Sequence, residues 1–495
     1  MTAHRKVKAD VAINLCFMVL NGVVLMWAVR IASVVFAPAT LGAFLLARRL
    51  SSTCANFLQL GMSQTLMRYL PMNADAPAQK RRYVLTACML WVGVSLAVVP
   101  LLDALVDHAA VLAFPSLRNA HALTKWGVIL ALVMVLNLVA HSALLAERRM
   151  LFAKTLEFVS VSGFLLWPLL SLSSEGDPAT VLRFQAVGMG AISLASLLVY
   201  LIPRDESVEL DAGGWSQTTL TFLVYGVPRG LIAGLDVGIL AIGPWLLRTT
   251  PEQAGYLVIA LTLVQFIQAA LNPVTQVASV IAARFVGRDD HCSLKSEIQL
   301  LLGAVIYATV LGLATFLPWS EGALQVWVKD PTVVGGVRPY VFWLALGLVP
   351  VAIYQGMRGI IEMRWFGPRN LLTLMFAGVA HLALYAILHE AVGPVAAVRI
   401  SLVATLWILG ILTLAWLGPA FLRPLRYWGL SRLIVVTVTL FALNEWSARD
   451  PHIVTAGLSI CASIGIIVVG LGLWTPPPIA RAVRSFVWSK LEVKS

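Results

Sequence analysis

Residues 36–71, FAPATLGAFLLARRLSSTCANFLQLGMSQTLMRYLP, decide how the chain is read, and residues 248–288, RTTPEQAGYLVIALTLVQFIQAALNPVTQVASVIAARFVGR, repeat their plan. Each opens on a short proline-marked turn and a glycine, runs on as a long apolar helix with polar residues inside it, and stops at a basic end. In the first, Arg49, Ser52 or Thr53, Asn56 and Ser63 recur at spacings of three, four and seven, which is one face of a helix. In the second, Thr262, Gln265, Asn272, Gln276 and Ser279 make a similar stripe. Inside a membrane-length helix such a stripe has to face protein or a water-filled cavity, because lipid offers it no hydrogen-bond partner.

Composition supports a membrane setting. Hydrophobic residues make up 59% of 495, charged residues 12%, and the mean hydropathy is +0.85. That leaves too little polar surface for a water-soluble protein of this length. Cys16, Cys54, Cys88, Cys292 and Cys461 are scattered without metal-ligand or redox spacing and read as small hydrophobic fillers. The basic start MTAHRKVKAD leads into an apolar run too long for a signal peptide, so residues 12–36 are read as a retained first span.

Apolar runs of spanning length recur at 12–36, 41–67, 83–103, 125–146, 155–172, 181–202, 217–247, 253–283, 297–318, 338–361, 370–389, 395–417, 430–446 and 453–473, here numbered spans 1 to 14. A hydrocarbon core needs about twenty helical residues, and continuous apolar runs without ten-residue alternation exclude a β-barrel. Of 36 Lys and Arg, 23 fall at the ends that a cytoplasmic N-terminus would place inside and eight at the outer ends. This bias puts both termini in the cytoplasm and accounts for most of the formal charge of +12 without a nucleic-acid partner. The expected fold class is therefore an all-α polytopic membrane protein of about fourteen transmembrane helices.

The acidic, glycine-containing stretch 203–216 divides residues 1–202, an N-terminal lobe of spans 1–6, from residues 217–420, a C-terminal lobe of spans 7–12. Residues 421–495 add spans 13 and 14 and a basic cytoplasmic tail. Each lobe opens with a helix that leads into a striped one, the weak internal symmetry that secondary transporters show. The outer loops 104–124 and 319–337 are too short to fold a catalytic module. His141 and Glu147 do not form a zinc-protease motif, and there is neither a phosphate-binding glycine loop with lysine nor a serine elbow. The chain is read as a non-enzyme.

Five arginines lie inside spans: Arg30, Arg48, Arg49, Arg229 and Arg358. At about 1.5 Å per residue, Arg30 sits about 9 Å outward of the middle of span 1, and the antiparallel span 2 places Arg48 and Arg49 at a similar depth. Guanidinium groups stay charged and present planar donor forks, chemistry that suits phosphate or pyrophosphate; snorkelling to the outer headgroups is the plainer alternative. Asp236 on span 7 is the acid placed well inside a span, seven residues from Arg229 and on the same face. It is either a proton or cation site or a structural partner for an arginine. Gly230, Gly234 and Gly238 beside Pro228 suggest that span 7 bends. Arg358 and Glu362, four residues apart near the inner end of span 10, read as a structural latch. Arg68 and Arg284, at the inner exits of the striped helices, either anchor them or meet the phosphate of an incoming lipid head.

The run LGAFLLARRLSSTCANFLQLGMSQTLMRYLP, with Gly42, Phe44, Gly61 and the Arg68–Tyr69 end, resembles the second-helix signature of polysaccharide flippases, of the O-antigen and exopolysaccharide exporter type, in the multidrug/oligosaccharidyl-lipid/polysaccharide (MOP) exporter superfamily. Residues 254–285 resemble the matching helix of the second half. The resemblance covers about residues 10–420. It implies two six-helix lobes in a V, with two additional C-terminal helices here, that carry an undecaprenyl-pyrophosphate-linked oligosaccharide or polysaccharide precursor from the cytoplasmic to the periplasmic leaflet of the bacterial inner membrane by alternating access. Cationic residues of the cavity hold the pyrophosphate in such proteins, and Arg30, Arg49, Arg229 and Arg284 are the positional candidates. With Arg48 and the stripe residues Asn56, Gln265 and Asn272 they make up the expected substrate site, with Asp236 as the coupling acid for H⁺ or Na⁺ and no resident cofactor or metal. Arg30 is not followed by an acid, which departs from the lipid II branch and leaves the glycan open. Partners would be membrane lipids and the glycan polymerase and glycosyltransferases of the same pathway. The competing readings are a cation-coupled drug or small-molecule antiporter, a membrane enzyme of glycan assembly, and a scaffold of an exopolysaccharide synthesis complex.

The charge bias is tested by labelling single cysteines with an impermeant thiol reagent. Positions in 71–82, 203–216 and 284–295 should be protected in intact cells, and those in 104–124 and 319–337 should react. Outer labelling at residue 210 would overturn the topology.

Overall fold

The computed structural model describes residues 3–73, 76–114, 120–147, 149–171, 176–201, 215–262, 264–265, 291–364, 369–418, 430–448 and 462–463. Among them every regular element is a helix. Among the described residues ten helices are long and apolar enough to cross a membrane: Cys16–Val35, Pro77–Val98, Ala120–Ala146, Met150–Ser171, Pro178–Leu201, Trp215–Leu246, Leu301–Trp327, Pro331–Glu362, Arg369–Val392 and Pro394–Leu417. These are spans 1, 3–7 and 9–12, and they make the chain an integral membrane protein. Span 2 is helical as well but more polar, because Arg48, Arg49 and the stripe interrupt it. Span 13 is the helix Leu430–Ala448. Most of spans 8 and 14 lies outside the described residues.

Local sequence explains where several helices begin and end. Pro38, Pro77 and Pro394 open theirs in the first turn, where a missing N–H leaves no hydrogen bond unmade. The helix Pro394–Leu417 stops at Gly418, whose φ of 92° lies in the left-handed region. Span 2 is broken rather than continuous. Leu60 and Gly61 have φ of 46° and 72°, and they separate the helix Pro38–Leu58 from Met62–Met72. Span 7 carries a π-helical turn at Phe222–Gly226. Pro228 cannot donate to the carbonyl of Val224, four residues back within that turn, so the ladder is already loosened there.

The chain packs as two compact units, Met1–Ile259 with Trp327–Val333, and Ala260–Val326 with Val334–Ser495. In the first, span 4 is the axis: Leu130, Val135 and Val139 on it are fully buried, and Met62, Leu66, Val84, Ala87, Ala153 and Phe222 from spans 2, 3, 5 and 7 join the same apolar cluster. A helix hydrophobic on all sides belongs in the middle of a bundle. Several buried polar side chains inside this unit bond to one another across spans. Asn137 donates to Ser160 Oγ at 3.0 Å and Ser193 Oγ at 2.9 Å, Gln185 to the Val161 carbonyl at 3.2 Å, and Ser162 to Asn21 Oδ1 at 2.8 Å. Spans 1, 4, 5 and 6 are thus joined by hydrogen bonds at the π-helical turn Phe158–Gly163 of span 5. Where the lobes proposed at 1–202 and 217–420 describe a repeat in sequence, the compact units describe which helices pack, and span 7 packs with spans 1–6.

In the second unit, spans 10 and 12 meet closely, with Gly410 against Pro350 and Gly347 against Leu406. His381 Nδ1 lies 3.0 Å from Thr405 Oγ1, joining spans 11 and 12. Span 13 packs on span 9 through Leu311, Ala314, Leu433, Val436 and Leu440. Asn444 on span 13 accepts from Trp319 Nε1 at 2.9 Å and donates to Ser463 Oγ at 3.0 Å. Glu362 Oε1 and the Arg358 carbonyl both accept from Asn370 Nδ2, at 2.9 and 3.0 Å, so this part of span 10 is latched to the start of span 11.

Small residues set the contact between spans 2 and 7. A Cβ on Gly61 would fall 1.8 Å from the Gly226 carbonyl oxygen, and one on Gly230 would fall 2.3 Å from the Gly61 nitrogen. Gly234 instead receives the Phe57 ring. These glycines let two backbones touch, a use that outweighs the bending read from the sequence. Gly61→Ala meets both a forbidden φ and a backbone clash, so it should lower the thermal midpoint of the purified protein sharply, by roughly 1–3 kcal/mol of strain or more. Gly93→Ala, with nothing within 4 Å of its Cβ, should leave that midpoint in place.

Candidate functional site

The stripe of span 2 is a continuous ladder. Asn56 Nδ2 donates to the Ser52 carbonyl at 2.9 Å, Gln59 Nε2 to Asn56 Oδ1 at 3.2 Å, and Ser63 Oγ to Gln59 Oε1 at 2.6 Å. It crosses the break at Leu60 and Gly61, so side chains bridge the point where the backbone ladder is interrupted. Gln59 was not among the expected stripe residues; its position three after Asn56 was the available signal.

Arg49 heads this stripe and is 8% exposed. One terminal nitrogen donates to the Val237 carbonyl of span 7 at 3.4 Å, and the charge of the neighbouring Asp236 acts favourably on it. Asp236 therefore acts electrostatically on an arginine of another helix. Arg229, seven residues before Asp236 on the same helix, extends the other way and holds its guanidinium 3.9 Å from the ring centre of Tyr225. A helical side chain leans toward its own N-terminus, which carries Arg229 to the residue four before it rather than the one seven after. Arg49, Asp236 and Val237 are brought together because the glycine face of span 7 lies on span 2.

Arg48 is half-buried beside Arg49. The Nε atoms of both are buried and have no hydrogen-bond partner among the described residues. Two guanidinium groups with unused Nε donors thus lie side by side near the carboxylate of Asp236, and positive charge is in excess there. Arg30 is half-buried on span 1; Asn21, half a helical turn round from it, is bonded to Ser162 inside the bundle, so Arg30 occupies the other side of span 1. Gln265 is half-buried in the second unit. Asn272 and Arg284 lie outside the described residues.

A second charged group was less legible in the sequence. Glu157 at the start of span 5 is paired with Lys154 at 2.7 Å and His141 at 3.2 Å, and Glu147 is paired with Lys80 at 2.9 Å while accepting from Tyr200 Oη at 3.3 Å. It ties the ends of spans 3 to 6. The pairs join residues far apart in sequence, so only Lys154–Glu157, at a spacing of three, could be read from spacing.

With this geometry in hand, solved structures place the fold. The chain resembles the lipid II flippase MurJ in an inward closed conformation, at 12% identity and a TM-score of 0.68, over 93% of this chain and 98% of that one. It resembles an inward-facing multidrug resistance MATE family transporter of the MOP superfamily at 15% identity and a TM-score of 0.60, over 83% and 97% of the two chains. A MOP superfamily transporter from Pyrococcus furiosus, described as having a binding pocket of reverse polarity that suggests a different function, matches at 15% identity and a TM-score of 0.53, over 84% and 94%. No family model and no curated protein matches the sequence. The chain has the fold shared by these flippases and transporters of the MOP superfamily, as its sequence resemblance implied.

The electrostatic attraction between Asp236 and Arg49 predicts a specific rescue. Asp236→Asn should lower the thermal midpoint, because it leaves the buried Arg49 without its compensating charge. Adding Arg49→Gln should restore it, and adding Arg229→Gln should not. Rescue by Arg229→Gln instead would place the partner on span 7.

Proposed function

We propose that this protein is a secondary transporter that moves a polyprenyl-pyrophosphate-linked glycan from the cytoplasmic to the outer leaflet of the bacterial inner membrane, with both termini cytoplasmic. The observation that carries the reading is the adjacent Arg48 and Arg49, each with a buried Nε that has no hydrogen-bond partner among the described residues. A pyrophosphate brings several charged acceptor oxygens, and arginine forks pair with them more strongly than neutral donors do. An anionic head faces a high barrier in hydrocarbon, and fixed cations along its path lower that barrier while the polyprenyl tail stays in lipid. The fold it shares with a lipid II flippase supports the same class of cargo.

Arg30 and Arg229 extend the proposed path, with Asn56 and the span 2 ladder as its polar wall, and Gln265, Asn272 and Arg284 are the proposed substrate-binding residues of the second half. Asp236 is the proposed coupling group for H⁺ or Na⁺. Its carboxylate and an arriving pyrophosphate compete for Arg49, so substrate binding would release the acid to take up a cation. That exchange gives alternating access a chemical trigger. The likeness to MATE transporters raises drug antiport as the second reading, but a cationic drug would meet the net positive charge of Arg48 and Arg49. Polymerase and glycosyltransferases of the same pathway are the proposed partners.

The test is flipping of a fluorescent polyprenyl-pyrophosphate oligosaccharide in proteoliposomes. Arg49→Ala should lower the rate by about tenfold or more, and Arg49→Lys should restore only part of it, because the charge returns without the fork. Full activity of Arg49→Ala would move the anion site elsewhere, and efflux of organic cations with no flipping by the wild type would favour the antiporter.

A further inference from the structure

We infer that Arg68, Tyr225 and Arg229 form a separate anion site, where the inner end of span 2 meets the π-helical turn of span 7, which captures the phosphate or pyrophosphate of a lipid before it reaches Arg48 and Arg49. The inference builds on the flippase reading and assigns that substrate a first docking point. Arg229 lies 3.9 Å and Arg68 4.6 Å from the centre of the same Tyr225 ring. Tyr225 is itself fixed: its ring meets Tyr69 edge-on at 5.4 Å, Tyr69 stacks on Tyr83 at 5.4 Å, and Tyr83 packs on Phe222 at 6.1 Å. Both guanidinium groups are exposed, and neither forms an ion pair among the described residues.

Two like charges drawn to one small aromatic group repel each other, and the electron-rich ring offsets only part of that repulsion. An ion of opposite charge with several acceptor oxygens relieves the rest. A phosphate monoester or a pyrophosphate has that charge and can accept from both forks at once, whereas a zwitterionic headgroup brings its own cation. The ring holds the arginines close without neutralising them, which is the preorganisation an anion site needs.

The site also lies at the irregular points of both helices. Arg68 follows the left-handed break at Leu60 and Gly61, and Tyr225 belongs to the π-helical turn Phe222–Gly226. Gly61 and Gly226, whose backbones touch, precede Arg68 and Arg229 by seven and three residues. An anion that draws Arg68 and Arg229 off the ring therefore acts on the residues nearest the places where spans 2 and 7 are least constrained, coupling capture of the head to separation of these ends.

The full-length protein in phosphatidylcholine nanodiscs would be titrated with farnesyl pyrophosphate and, separately, with inorganic pyrophosphate, following tryptophan fluorescence. Arg68→Gln and Arg229→Gln should each weaken farnesyl pyrophosphate binding by about tenfold, and the corresponding lysine variants should weaken it less. Both side chains are exposed, so the thermal midpoints should match the wild type. Binding of farnesyl pyrophosphate well above that of inorganic pyrophosphate assigns the ligand to a lipid head; the reverse order would assign it to a free anion and overturn capture of lipid. Equal affinity in wild type and both glutamine variants, or full competition by phosphatidylglycerol nanodiscs, would overturn the site. Flipping measured on the same preparations separates the two proposals. Unchanged binding in the variants with a flipping wild type removes this site alone, whereas a wild type that does not flip, with binding lost in the variants, keeps the anion site and removes the flippase reading.

Discussion

The backbones of spans 2 and 7 touch at Gly61, Gly226 and Gly230, and the proposed chemistry of the first unit depends on that contact. A side chain at any of the three would force the helices apart by the width of a methyl group or more. With glycine there, Phe57 seats on Gly234, Arg49 reaches the Val237 carbonyl, and the charge of Asp236 falls on Arg49. At the other end of span 2 the same device recurs: Gly42 lies against the backbone of Pro251, and Gly255 against Gly42. The striped helix is thus held by glycines near both ends, with its polar ladder running from between them across Gly61 to Ser63.

That arrangement explains why a membrane helix can carry two adjacent arginines. Burying an uncompensated guanidinium in hydrocarbon is expensive, and a single carboxylate offsets only one of the two. The remaining positive charge is tolerable for a site that meets an anionic ligand during its cycle. The ladder Ser52–Asn56–Gln59–Ser63 has a different character: its members satisfy one another, so it can line a wet passage without requiring a ligand to be stable. The charged residues are then the part of the wall that selects the cargo.

Much of this was legible in the sequence, for identifiable reasons. Span number and helical class follow from hydropathy over about twenty residues, a signal that does not depend on neighbours. The stripe was legible because Arg49, Asn56 and Ser63 repeat every seven residues on one helix. What failed to show were pairings between helices. Arg229 and Asp236 share a face, yet the lean of helical side chains sends Arg229 to Tyr225, while the charge of Asp236 acts on Arg49 of another helix. Gly230 and Gly234 looked like hinge residues, since sequence cannot distinguish a glycine that bends from one that admits a partner. The polar contacts of Asn137, Gln185 and Glu157 escaped for the same reason, because their partners lie on other spans.

Intramolecular disulfide formation between positions 53 and 238 tests the central contact directly, in a chain with Cys16, Cys54, Cys88, Cys292 and Cys461 replaced by alanine or serine. A Cβ on Gly238 would lie 3.7 Å from the Thr53 methyl group, so side chains at the two positions are in van der Waals contact. Thr53→Cys with Gly238→Cys should cross-link within one chain on mild oxidation in native membranes, and polyprenyl pyrophosphate should slow the reaction as the anion displaces Asp236 from Arg49. Absence of the cross-link under conditions that oxidise a control pair would contradict the packing of span 2 on span 7, and with it the placement of Arg49 beside Asp236.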